Sequence, residues 1–155
     1  MNKYLLTPLL YLMLVAPCMA SNLVENEQTL ISTVLTLKNI IQNSLSEKQA
    51  KSEFNRIPQT KPFIKDGLYA GHKLFENDKL IGLLRVSYQK NIPVLAAYST
   101  VPLKVRHATK MYKAWRVTLL KHYKEASYNH FELGNGIIAE LSKKKNGVSI
   151  FVSRK

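Results

Sequence analysis

Four side chains that lie close together in the chain have the types needed for acid–base chemistry. His122, Glu125, His130 and Glu132 fall within one eleven-residue window. Two imidazoles and two carboxylates can supply a general acid and a general base, or ligands for a metal ion. The spacing separates them into two pairs. On a helix, His122 and Glu125 share a face, whereas on a strand His130 and Glu132 project to one side and are aimed independently. Neither an H-E-x-x-H nor an H-x-x-E-H pattern is present, so no metal signature emerges. Cys18 is the single cysteine and adds no ligand to the set. No G-x-S-x-G elbow surrounds any serine. Gly134-Asn135-Gly136 lacks the length, and the following helix, of a dinucleotide-binding loop. These residues lead to no expected metal or cofactor. The four polar groups stand as catalytic candidates beside a simpler reading, polar residues at a helix-to-strand junction.

A second kind of chemistry is carried by charge. The 155 residues hold 23 Lys and Arg against 10 Asp and Glu, a net +13. The excess is uneven, because residues 21–70 balance to +1 while residues 71–155 carry +11. Within 101–128, Arg106, Lys110, Lys113, Lys121 and Lys124 fall on one arc at about 100° per residue. Val105, Ala108, Met111, Tyr112, Trp115, Leu119 and Tyr123 fall on the opposite arc. Lys143, Lys144 and Lys145 add three charges just before Asn146-Gly147, a hairpin-turn signal. Cationic surface of this density steers anionic partners, here an acidic protein or an anionic envelope component. Nucleic acid is a less favoured partner. Base stacking needs Tyr112, Trp115 and Tyr123 outside, and their helical phase puts them on the core side.

These groups need elements to hold them. The three-and-four spacing over 101–128 predicts one long amphipathic helix, begun at Ser99 or Thr100 with Pro102 in its first turn. Arg116 lies at the edge of its apolar stripe, where it can reach solvent or answer a carboxylate such as Glu132 or Glu140. Leu30, Val34, Leu37, Ile41 and Leu45 predict a second helix over 25–54. It is expected to break near Ser44 and restart at a Ser46–Gln49 capping box. Polar turns at 76–79 and 89–91 divide 68–99 into three strands, and a final hairpin pairs 131–142 with 148–153. Gly71 and Gly82 mark bulges or close backbone approaches. The expectation is an α+β protein with an N-terminal helix, a three-stranded antiparallel meander, a long amphipathic helix and a C-terminal β-hairpin. Its one mostly antiparallel sheet is covered by helices.

The first twenty residues read as an address. Lys3 precedes an apolar run over 4–15, and Cys18-Met19-Ala20 offers small residues for cleavage after Ala20. Residues 1–20 are thus expected to be a signal peptide and 21–155 a single small basic domain, periplasmic or secreted. A retained N-terminal anchor and a lipoprotein at Cys18 are the minor alternatives, the latter opposed by Pro17. With no transmembrane segment expected in the mature form, three readings of function follow. The first is a non-catalytic binding module, of the inhibitor, immunity or envelope-assembly type, using Arg106, Lys110, Lys113, Lys121, Lys124 and Lys143 to Lys145. The second is a small basic hydrolase or nuclease-like toxin using His122, Glu125 and His130. The third is a ligand-sensing or lipid-carrying α+β domain with a pocket against its sheet.

Overall fold

The computed structural model describes residues 22–65 and 67–155, with side chains from Glu27 onward. The expected signal peptide over residues 1–20, the cleavage expected after Ala20, and Cys18 lie outside the described residues. Three helices and eight strands follow in the order α1 (Asn22–Gln42), α2 (Glu47–Asn55), β1 (Thr60–Lys65), β2 (Leu68–Glu76), β3 (Lys79–Gln89), β4 (Ile92–Thr100), α3 (Val105–His122), β5 (Lys124–Ser127), β6 (His130–Gly134), β7 (Ile137–Lys144) and β8 (Gly147–Arg154). All strands join one antiparallel sheet in the order β1-β2-β3-β4-β8-β7-β6-β5. Two four-stranded runs thus meet along β4 and β8. Among the described residues, all three helices lie on one face of the sheet and none on the other. The α+β class, helices over one antiparallel sheet, is the one expected from the residue pattern.

Turn chemistry fixes the first run. Asn77 and Asp78 take φ of 48° and 60°, and Lys90 and Asn91 take 49° and 64°. Two successive positive φ values twist a two-residue loop in the sense that matches the strands it joins. The β7–β8 turn is made by Lys145 and Asn146, one residue before the expected Asn146-Gly147 pair, because Gly147 already pairs with Lys144 as the first residue of β8. Neither Asn146 nor Gly147 takes the positive φ for which that pair is expected to turn.

The helices form where the period places them. Leu30, Val34, Leu37 and Ile41 are buried along α1. The chain breaks at Ser44, φ 49°, and restarts at the expected capping box, where the Gln49 side chain accepts the Ser46 N–H at 2.9 Å. Arg154, at the far end of the chain, donates to the Ile41 and Gln42 carbonyls at 2.9 and 3.0 Å. These are orphan acceptors at the α1 C-terminus, and a guanidinium satisfies them well.

Gly82 is the floor on which α3 is seated. A Cβ there would lie 2.3 Å from Tyr98 Cε2 and 2.8 Å from the Ser99 carbonyl oxygen. The missing side chain lets the Tyr98 ring lie against the sheet, and Trp115 of α3 stacks on that ring at 5.1 Å between centroids. Tyr98 and Trp115 are both buried, so neither ring has room to retreat. Gly82→Ala is therefore expected to cost about 2–3 kcal/mol, as overpacking of a filled core does. Urea denaturation followed by circular dichroism reads this directly, and an unchanged midpoint would mean the ring is free to move.

Candidate binding surface

Helix α3 spans Val105–His122, shorter at both ends than the 101–128 stripe. Its N-cap is Lys104 rather than Ser99 or Thr100, because those two residues complete β4. Ala108, Trp115, Thr118 and Leu119 are buried against the sheet, and Met111 and Tyr112 pack at the margin. The opposite side shows Arg106, Lys110 and Lys113, all exposed, followed by exposed Val117 and Leu120. Val105, assigned by phase to the apolar arc, is half exposed in the first turn of the helix.

The lysine tip of the β7–β8 hairpin comes to this helix. The Leu103 N–H donates to the Asn146 carbonyl at 2.7 Å, tying the turn to the segment that enters α3. Lys143 and Tyr112 line the same open recess of about 380 Å³. Lys143, Lys144 and Lys145 are exposed. Among the described residues, neither these three nor Arg106, Lys110 and Lys113 forms a salt bridge. Six charges far apart in sequence therefore share one end of the molecule. The other two expected contacts lie elsewhere. Lys121 bonds Glu27 of α1 at 3.3 Å, and Lys124 belongs to β5, opposite Glu132.

Arg116 holds the chain's reversal after the helix. Its Nη2 donates to both carboxylate oxygens of Glu125, at 2.8 and 2.9 Å, and its guanidinium lies over the Tyr128 ring at 5.1 Å. The partner is thus Glu125, neither Glu132 nor Glu140. Register explains it: Glu125 opposes buried Phe131 and so faces the helices, whereas Glu132 opposes Ile138 on the uncovered side. The Asn129 N–H also donates to Glu125 at 2.9 Å. That backbone bond first, and Arg116 second, hold the Glu125 carboxyl below its ordinary range. Tyr112 donates to Asn129 Oδ1 at 2.8 Å, closing the turn onto α3.

The four catalytic candidates each have a different partner. His122 faces Glu27 at 3.5 Å, Glu125 takes Arg116, His130 lies 3.9 Å from Glu140, and Glu132 bonds Lys155 at 2.8 Å. Among the described residues no three His, Cys, Asp or Glu side chains gather as metal ligands. A recess of about 690 Å³ runs along the outer side of α1 past Leu35, Asn39, Glu53 and His122, and is open to solvent.

The histidine with the most constrained setting is one that the sequence does not single out. His72 on β2 is fully buried. Its Nε2 donates to Asn55 Oδ1 of α2 at 2.8 Å, and its Nδ1 accepts the Tyr69 hydroxyl at 2.6 Å. Phe54 packs on the ring at 5.4 Å. Burial, and then the Lys51 ammonium, push the imidazole below its ordinary value of 6.5. Burial likewise raises the Tyr69 phenol, and pushes nearby Tyr88 up to about 12. The consequence for stability has a definite sign. The unfolded chain takes up a proton at His72 near pH 6.5 while the folded chain resists it. Stability from the neutral ring is complete above that pH and is lost as pH falls towards the folded value. Stability is expected to fall as pH drops below 6.5, with about 1.4 kcal/mol per pH unit as the upper limit for one proton. Denaturation of the protein and of His72→Gln at about pH 7.5 and about pH 5.5 measures it. Equal slopes in the two proteins would remove His72 as the source.

No family model, curated protein or solved structure matches this chain. Among the described residues no helix is long and apolar enough to cross a membrane.

Proposed function

We propose that this protein is an extracytoplasmic, non-catalytic binding module whose cationic end engages an anionic envelope component or an acidic protein surface. One observation carries the reading: Arg106, Lys110 and Lys113 of α3 share an end with Lys143, Lys144 and Lys145, and none of the six is neutralised among the described residues. Unpaired like charges repel one another, and a partner of opposite sign relieves that repulsion and speeds encounter. Exposed Val117 and Leu120 beside the lysines add apolar area for such a contact. The separate partners of His122, Glu125, His130 and Glu132 support binding over catalysis. The address read from residues 1–20 supplies the compartment. Vesicles containing phosphatidylglycerol, set against neutral phosphatidylcholine vesicles, test the lipid form of the partner, and an acidic envelope-protein fraction tests the other. Binding should weaken steeply with salt, since the screening length falls from about 10 Å at 0.1 M to about 3 Å at 1 M. Attachment that ignores salt would count against the reading.

A further inference from the structure

The sheet face turned away from the helices carries cations and phenyl rings that the cationic end does not include. His72, Leu74, Leu84 and Ile150 are buried under the helices, so strand alternation puts Lys73, Phe75, Arg85 and Phe151 on the opposite face. Lys61 stands directly across from Lys73, and Phe63 across from Gly71. Three of the chain's five phenylalanines therefore lie on the side that no described helix covers.

Lys61 and Lys73 make a like-charged cross-strand pair, which repels. Each ammonium is held over a ring on the diagonal, Lys73 over Phe63 at 4.7 Å and Lys61 over Phe75 at 5.2 Å. Arg85 joins them from β3. A Cβ at Gly71 would come within 3.0 Å of Arg85 Cγ, so the glycine lets the arginine stem lie against β2. None of the three cations forms a salt bridge among the described residues. Along β1 to β4 this face shows no Asp or Glu among the described residues. Glu132 and Glu140 belong to β6 and β7, and Lys155 already bonds Glu132 at 2.8 Å. Phe151 is partly exposed two strands from Arg85, amid the small residues Ala97, Ser99, Ser142 and Ser149. Small neighbours leave room for a planar group to stack on its ring.

Fixed cations beside an aromatic platform on an open antiparallel sheet match a single-stranded nucleic acid. Its phosphates take the cations while its unpaired bases stack. An acidic peptide brings the charge without the rings, and a duplex keeps its bases stacked on one another. Tyr112, Trp115 and Tyr123 stay with the core, so the stacking groups here are a different set.

We infer that the open sheet face binds single-stranded nucleic acid, with Lys61, Lys73 and Arg85 on phosphates and Phe151 against a base. Fluorescence anisotropy of a labelled oligodeoxythymidylate of about 15 nucleotides tests it. Three phosphate contacts contribute about −2 to the slope of log affinity against log salt, at about 0.7 per contact on a single strand. Changing Lys61, Lys73 and Arg85 together to glutamine should remove that share. The six cations of α3 and the hairpin tip stay in place in this variant, which separates the sheet face from them. Phe151→Leu keeps the apolar packing and should lower affinity about 5-fold or more with the slope unchanged. Circular dichroism confirms the fold of each variant. No binding up to about 100 μM protein at physiological salt overturns the inference. So does a triple variant with the original slope, or a Phe151→Leu variant with the original affinity. Competition by the matching duplex or by polyglutamate as strong as that of the single strand also overturns it, the latter in favour of an acidic polypeptide.

Discussion

Replacing Trp115 with alanine is expected to lower the unfolding free energy by about 3–5 kcal/mol, the range for a large aromatic truncated inside a core. Trp115 is 5% exposed and is the chain's single tryptophan. It stacks on Tyr98 with 30° between ring planes, and Tyr98 lies over Gly82. The three form a column from the sheet into α3. Removing the top ring empties the seat of the helix, and the small groups on the same face, Ala108 and Thr118, cannot refill it. Trp115→Phe keeps a ring in place and should lose much less. Urea unfolding followed by circular dichroism separates the two. An alanine variant within about 1 kcal/mol of the original would show that α3 is held mainly by other contacts.

Such a column is only partly visible in the sequence. The period of 101–128 reveals the helix and puts Trp115 on its core side, and Gly82 reads as a place of close approach. That Tyr98 is what approaches Gly82 depends on β4 pairing with β3, and a linear pattern leaves that register open. The single strand expected over 131–142 turns back at Asn135-Gly136 and forms two, β6 and β7. Two further strands escape notice for local reasons. Thr60–Lys65 contains Pro62 and two lysines, a composition compatible with an edge strand but not diagnostic of one. Lys124–Ser127 carries no alternating apolar residues, and the stripe of the preceding helix runs on into Tyr123. The helix ends at His122 because Arg116 and the Asn129 N–H draw Glu125 back under it, a tertiary effect. The cationic surface is more legible on α3 than as a whole. Arg106, Lys110 and Lys113 share a face by spacing alone, but their union with Lys143 to Lys145 requires the Leu103–Asn146 bond. His72 is the clearest omission, since its partners Asn55 and Tyr69 lie on two different elements.

Reversing charge at the cationic end is expected to have the other large effect. A basic side chain close to an anionic membrane contributes about 1 kcal/mol. Changing Arg106, Lys110 and Lys113 to glutamate should therefore weaken attachment to phosphatidylglycerol vesicles by at least about 100-fold, and the same holds for Lys143, Lys144 and Lys145. All six are exposed, so the fold should persist, with thermal midpoints close to the original. Reversal of Lys48, Lys79 and Lys90, which are equally exposed but lie on α2, at the start of β3 and in the β3–β4 turn, controls for net charge alone. If that control weakened binding as much as the others, the contact would be diffuse rather than sited on α3 and the hairpin tip.

The most direct test of a sited cationic contact is the salt dependence of binding, measured for the original chain and for the variant reversed at all six positions. The original chain should bind anionic vesicles, or an acidic envelope protein, with an affinity that falls steeply as salt rises, and the six-fold variant should show neither the affinity nor the slope. Equal affinity and equal slope in the two proteins would contradict a contact made by these six side chains.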